Sequence, residues 1–179
     1  QADVLREFDP ALAAEVGAIR YNAIAVVALG YREADAPNRP DGFGYIAPQN
    51  TRRDVLGVQW CSSTFPDRAP PGFVLWRALC GGGSRPDVAA LPDAELLRAV
   101  HAEMGVAMGV TGEPAFTRVV RWSRAIPQYE VGHPQRVDRI DGLAARHRGL
   151  VLGGNAYRGV AMNDCVEQAD AVATRVISG

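Results

Sequence analysis

No lysine occurs among the 179 residues, and all nineteen basic side chains are arginine. A lysine Schiff base and a phosphate loop that relies on lysine are therefore excluded. Cysteine is sparse: Cys61, Cys80 and Cys165 are odd in number and far apart. They build neither a disulfide framework nor a C-x-x-C metal site, which points to a reducing, cytoplasmic setting. Histidine is equally scarce, and His101, His133 and His147 share no metal-ligand spacing. Long apolar runs are absent as well. The longest, AIAVVALG from Ala23 to Gly30, falls far short of the roughly twenty residues a membrane-spanning helix needs. Like charges form no run, nineteen basic residues standing against twenty acidic ones, so neither a nucleic-acid surface nor a polybasic membrane anchor is expected. No G-x-S-x-G elbow is present to seat a nucleophilic serine, which disfavours a hydrolase. The first residue is glutamine, and the chain is expected to be part of a longer polypeptide.

What is present is globular in composition, with 47% apolar and 22% charged residues. That is enough chain for one domain, or for a large and a small lobe. DPALAAEVGAI predicts a short helix over Asp9–Ile19, with Asp9 as its N-cap and Pro10 at its first position. IAVVALGY predicts a strand buried on both faces. DGFGYIAP reads as a turn and short strand; DVLGVQWCSSTFP and GFVLWRALCGGG read as two further strands, separated by DRAPPG. PDAELLRAVHAEMGVAMGV is the clearest helix, with Leu96, Leu97, Val100, Met104 and Met108 on one face. FTRVVRW predicts a fifth strand. HPQRVDRIDGLAARHRG predicts a surface helix that carries Val137, Ile140 and Leu143 and closes at Gly149. The expected fold is α/β with α+β character: a mixed or antiparallel sheet-plus-helix lobe set between terminal segments of a nucleotide-binding fold.

The segment Leu150–Val176, LVLGGNAYRGVAMNDCVEQADAVATRV, reads as an apolar strand, a glycine-rich turn and an amphipathic helix. Gly153, Gly154 and Gly159 bracket NAYR and let the backbone approach a ligand. Asn163 or Asp164 is expected to cap the helix, whose apolar stripe would be Val166, Ala169, Ala173 and Val176. Roughly half a positive charge at such a helix start suits an anionic or electron-rich ligand. The same pattern serves equally as a tight, well-capped αβ connection. CGGGSRP and GFG are read as turns, since neither opens a helix as G-x-G-x-x-G. His101 and His147 are expected on helix surfaces, and His133 lies in a loop rich in Pro, Gly, Tyr and Gln. Phe43, Tyr45, Trp60, Phe65, Phe73, Trp76 and Phe116 fall on the strand cluster, where core packing is the first expectation.

Taken together, DGFGYIAP, LGVQWCSSTFPDRAP, LCGGG, RWSRAIPQYEVGH and LVLGGNAYRGVAMNDCV resemble, in this order and spacing, the C-terminal part of the oxygen-dependent protoporphyrinogen and coproporphyrinogen oxidases. These are flavoenzymes of the amine-oxidase type. The resemblance runs from about Ala2 to the end, and IPQYEVGH with GNAYRGVAMNDCV is its most specific part. It implies that residues 1–20 are an edge of an FAD-binding domain, 21–120 a substrate-binding lobe and 121–179 the segment that returns to close the FAD domain. It implies flavin contacts at Trp122, Gly154, Asn155, Gly159, Val160, Ala161, Met162 and Asp164, with the last helix aimed at the pyrimidine edge. Reduction gathers negative charge at N1 and the C2 carbonyl, which a helix N-terminus stabilises. Phe43 and Ile46 match positions that sandwich the tetrapyrrole, and Leu79 one that lines its pocket. The resemblance leaves the catalytic residues unknown.

The implied reaction, in haem biosynthesis, passes hydride from a porphyrinogen to flavin N5, and O2 re-oxidises the flavin to give H2O2. The implied partners are the porphyrinogen and O2, with no nucleic acid. A homodimer is compatible with the resemblance, as is peripheral contact with the inner face of the cell membrane through a lobe outside this chain. Two departures bear on activity. No G-x-G-x-x-G fingerprint with its acidic ribose-binding residue is present, and the arginine expected to pair with a substrate propionate falls outside the chain. The isolated chain is therefore expected to bind FAD weakly and to show little oxidase activity. Other readings are a different amine-oxidase-type flavoenzyme, such as a carotenoid desaturase or monoamine oxidase, and a porphyrin-binding or interaction domain without catalysis; IPQYEVGH favours the porphyrinogen branch.

Overall fold

Two short helices open the chain, α1 (Ala2–Leu5) and α2 (Pro10–Gly17). The Asp9 carboxylate accepts the Leu12 N–H at 2.9 Å, and Pro10 takes the first helical position, where no N–H is needed. The chain continues through β1 (Tyr21–Arg32), β2 (Gly44–Ile46), β3 (Val55–Gln59), α3 (Cys61–Thr64), β4 (Phe73–Gly81), α4 (Pro86–Ala89), α5 (Asp93–Met108), β5 (Phe116–Pro127), α6 (His133–Ala144) and α7 (Met162–Ser178). The computed structural model describes residues 1–38 and 41–178. The chain divides into two units, Gln1–Tyr21 with Ile126–Gly179, and Asn22–Ala125.

The Asn22–Ala125 unit is built on a five-stranded sheet of order β2-β3-β4-β1-β5, in which β2–β3, β3–β4 and β4–β1 are antiparallel. Ala25, Val27, Leu29 and Tyr31 alternate along β1 into the core. Val74, Trp76, Ala78 and Cys80 do so along β4, and Leu96, Val100, Met104 and Met108 of α5 close over them. The α5 stripe is thus the one its spacing predicts. β1, however, is not buried on both faces: Val26 and Ala28 point away from the core and stay partly exposed. An antiparallel sheet needs cover on one side only, and α5 supplies it over the core face. The third strand also stops earlier than its apolar run suggests. Cys61–Thr64 are the short helix α3, whose Ser62 hydroxyl accepts the Leu75 N–H at 3.1 Å. Of the aromatics expected in this core, Trp76 is buried and Tyr45 and Trp60 pack against it, whereas Phe43, Phe65 and Phe116 are exposed.

The other unit packs α2 on α6. Leu12, Val16, Val137, Ile140 and Tyr157 are buried together, and Glu15 of α2 holds Arg136 and Arg139 of α6 at 2.9 and 3.1 Å. Helix α6 ends at Ala144; Gly149 lies farther on, in a separate turn. Leu150–Leu152 form no strand, and Leu150 and Leu152 pack their side chains against the helical core instead. Helix α7 turns a different face inward from the one predicted. Asp164, Cys165, Gln168 and Val172 are its partly covered positions, while Val166, Ala169, Ala173 and Val176 are exposed. Among the described residues no helix is long and apolar enough to cross a membrane.

His147, on the turn after α6, reaches back to Asp9 with its Nε2 2.7 Å from the carboxylate, and its ring rests on Phe8. The Leu12 N–H and then His147 hold the Asp9 carboxyl below its ordinary value near 3.8. A carboxyl with a lowered folded pKa contributes stability above that ordinary value and loses it as pH falls through the folded one. Thermal melts between about pH 6 and pH 3 are therefore expected to show a steeper acid loss for the native chain than for Asp9→Asn. Parallel profiles would show that the pair has no role.

Candidate functional site

The glycine turn before α7 is held by a tyrosine that its sequence gives little reason to single out. The Tyr129 hydroxyl donates to the Asn155 carbonyl at 2.7 Å and accepts the Gly159 N–H at 2.8 Å, so one side chain ties both ends of the turn. Burial lifts the Tyr129 phenol above its ordinary value near 10. It stays neutral at physiological pH, and both bonds persist. Its ring stacks on His133 with centroids 3.9 Å apart and planes within 11°.

His133 is buried, and its Nε2 lies 2.9 Å from the Tyr157 carbonyl. A carbonyl only accepts, so Nε2 carries a proton and donates in this bond. Tyr157 is itself buried, with its phenol pushed up to about 12 by desolvation. His133, Tyr129 and Tyr157 thus form the seat of the turn. Of these, only His133 had drawn notice in the sequence, and burial is what gives it its role. His101 and His147 are partly buried rather than free on the surface: the Tyr31 hydroxyl lies 3.0 Å from His101 Nδ1, and His147 holds Asp9.

Above that seat the turn delivers its residues to the start of α7. Asp164 caps the helix from its third position, its carboxylate accepting the Ala161 N–H at 2.9 Å. This is the inner half of a capping box, and Asn163 has no part in it. Gly159 has φ +103, and a Cβ there would overlap the Asp164 carboxyl, so only glycine fits. Val160 and Met162 stand exposed at the mouth of the turn. The first-turn N–H groups of α7 have no intrahelical partner, as at every helix start.

Gly154, Asn155, Gly159, Val160, Ala161, Met162 and Asp164 are therefore brought together in one unit. Trp122 lies in the other, exposed on β5. An exposed apolar rim, a glycine that permits close approach and open N–H donors fit the pyrimidine edge of a flavin. Asp164 fits less directly: its carboxylate is engaged in the cap, so it positions the turn. Tyr129→Phe keeps the stacked ring but removes both hydroxyl bonds. Amide exchange across 155–161 is expected to speed up about tenfold, a loss of about 1.4 kcal/mol. Unchanged exchange would mean that the turn holds itself.

In the sheet unit, the face opposite the core carries a row across four strands. Ile46 of β2 opposes Gly57 of β3, Gly57 opposes Leu79 of β4, and Leu79 opposes Val26 of β1. Directly opposed residues point to the same face. Gly57 leaves the middle of the row flat, since a Cβ there would come within 2.6 Å of the Tyr45 carbonyl. Ile46 is almost fully exposed, Leu79 and Val26 partly so. Phe43 precedes β2 with its ring exposed, outside this row. Two of the three predicted substrate residues thus share a flat apolar face. Among the described residues no group of His, Cys, Asp or Glu could hold a metal ion.

No protein-family model matches the chain. It is 30% identical over 157 residues to the coproporphyrinogen III oxidase of Bacillus subtilis, covering 87% of this chain and 33% of that protein. The coproporphyrinogen III oxidase of Propionibacterium freudenreichii subsp. freudenreichii is 33% identical, over 98% of this chain and 33% of its own length. The protoporphyrinogen oxidase of Macaca fascicularis is 34% identical, over 98% and 39% respectively. Among solved structures, a protein from Exiguobacterium sp. 255-15 assigned by name as a protoporphyrinogen oxidase superposes with a TM-score of 0.79 at 22% identity, over 99% of this chain and 40% of its own. The chain spans about a third of the length of the relatives it matches.

Proposed function

We propose that the chain, most of which matches about a third of the length of coproporphyrinogen III oxidases, forms the C-terminal part of an FAD-dependent porphyrinogen oxidase of haem biosynthesis. The observation that carries this reading is the turn at Gly154–Met162, clamped by Tyr129 and opening on the exposed start of α7. Residues 1–20 and 121–179 would close the FAD-binding domain, and 21–120 would form the substrate-binding lobe. When bound, FAD supplies the two-electron acceptor for the porphyrinogen, and O2 takes those electrons on as H2O2.

The chain's own residues serve this chemistry by position. The glycine turn lets its backbone come up to the ring edge. The open N–H groups of Met162 and Asn163 stabilise the negative charge that gathers there, with the α7 dipole behind them. Trp122 offers an exposed indole to the flavin. Ile46, Leu79 and Phe43 offer apolar surface to a flat macrocycle and exclude water from it. No side chain here is assigned as an acid or base. This reading takes a reducing cytoplasm as the setting, with any membrane contact peripheral; the three cysteines are free.

The test is to express the longer native polypeptide that contains this chain and follow porphyrin fluorescence from coproporphyrinogen III and protoporphyrinogen IX in air. Porphyrin formation well above the spontaneous rate, with H2O2, is expected. Rates no faster than buffer would remove the proposal.

A further inference from the structure

A cleft of about 880 Å³ lies in the sheet unit at the end of β2, and neither the turn nor the sheet row accounts for it. Its wall combines Ile46, Val55 and Leu56 with Arg52, Arg53 and Arg85. Two of these guanidinium groups are already matched. Arg53 pairs with Glu103 at 2.7 Å, and Arg85 pairs with Asp54 at 2.8 Å and Asp87 at 3.1 Å. Arg85 also donates to the Arg52 carbonyl at 3.1 Å and pins that loop from behind.

Arg52 itself is exposed and has no side-chain partner among the described residues. It is also the one non-glycine residue with positive φ among them, at +49°. A long side chain kept in a left-handed conformation persists only where the surroundings hold it there. The loop does so through bonds from Thr51 N to Pro48 O, Arg52 N to Gln49 O and Ala47 N to Leu56 O.

We propose that this cleft is a carboxylate subsite, in which Arg52 receives the anion and the Ile46–Leu56 wall receives the apolar body that bears it. The guanidinium is suited to such a partner because its planar fork meets both carboxylate oxygens. Ile46 belongs at once to this wall and to the flat row through Gly57 and Leu79. The inference therefore deepens the porphyrinogen reading and rests on it: the anion is a propionate at the rim of the macrocycle. A subsite of this kind favours coproporphyrin, which bears a propionate on every ring, over protoporphyrin, which bears vinyl groups on half of its rings. A vinyl placed against Arg52 would desolvate the charge and return nothing.

The 179-residue chain is titrated with coproporphyrin III, protoporphyrin IX and the tetramethyl ester of coproporphyrin, followed by porphyrin fluorescence. Arg52→Gln is expected to weaken coproporphyrin about tenfold and to leave the ester within about twofold. Arg52→Gly also relieves the left-handed backbone, so the same loss in that variant excludes misfolding as its cause. Equal coproporphyrin affinity in the native chain and both variants overturns the subsite, while the porphyrin reading stands on the native titration.

A second titration probes the cleft without porphyrin. With 15N-labelled chain and sodium propionate, the Arg52 Nε–H resonance is expected to shift saturably, ahead of Arg53 and Arg85. No shift there overturns the subsite whatever the porphyrins do. A saturable shift with no porphyrin binding by the native chain keeps the subsite, assigns it to a small carboxylate, and counts against the tetrapyrrole reading.

Discussion

Alanine at position 159 is expected to dismantle the turn that carries the proposed flavin contacts. Gly159 sits at φ +103, where an L side chain is strained, and the new Cβ would fall inside the Asp164 carboxyl. Strain of this kind costs about 1–3 kcal/mol. Displacing Asp164 also frees the Ala161 N–H it caps and disturbs the Gly159 N–H that Tyr129 holds. A further loss of about 1 kcal/mol is expected from the cap. In the longer native polypeptide, FAD affinity should fall about a hundredfold or more. Equilibrium flavin fluorescence measures this directly.

A second substitution makes the cause testable. Asp164→Gly removes every side-chain atom that the new Cβ would strike, the Asp164 Cβ included, so Gly159→Ala should cost less in that background than in the native one. Non-additivity of this sign is the mark of a shared contact. If Gly159→Ala leaves FAD affinity unchanged, the turn does not meet the flavin.

Trp76→Ala is expected to produce the largest loss of stability in the sheet unit. Trp76 is 1% exposed, opposes Leu29 across the β1–β4 pair, and has its ring 5.7 Å from that of Tyr31. Truncating a buried tryptophan costs about 3–5 kcal/mol. A whole domain has only about 5–15 kcal/mol to lose. Urea denaturation followed by far-ultraviolet circular dichroism should show the full loss, with Trp76→Phe costing less because an aromatic ring still fills most of the space. A loss under about 1 kcal/mol would mean that the core does not close around Trp76. Because Leu79 lies on the same strand with its side chain on the opposite face, porphyrin affinity should fall together with the fold.

These effects follow from parts of the structure that were unequally visible in the sequence. Helix α5 was legible because its apolar residues recur at three and four, and all the predicted contacts to one core are local in pattern. Asp9 was legible because an N-cap followed by proline is a local signal. Helix α7 was not: Val166, Ala169, Ala173 and Val176 form as good a stripe as the one actually covered, and which face is buried depends on what lies against it. Leu150–Leu152 look like a strand, but a strand needs a partner, and among the described residues none pairs with them.

The candidate site divides in the same way. Gly159 and the start of α7 could be singled out from spacing, because positive φ and capping leave marks in residue type. Tyr129 and the burial of His133 could not, since their bonds to the turn span 24 to 30 positions along the chain and carry no local pattern. The flat row of Ile46, Gly57 and Leu79 needed the strand register. In the sequence, Gly57 is only a glycine inside an apolar run.

The proposed chemistry is tested most directly without oxygen. The longer native polypeptide is purified, its visible absorbance recorded, and coproporphyrinogen III or protoporphyrinogen IX added anaerobically. A yellow protein that the porphyrinogen bleaches, and that regains its colour with release of H2O2 when air is admitted, is the expected result. A colourless protein, or a bound flavin that both porphyrinogens leave oxidised, would contradict the assignment of this chain to a flavin-dependent porphyrinogen oxidase.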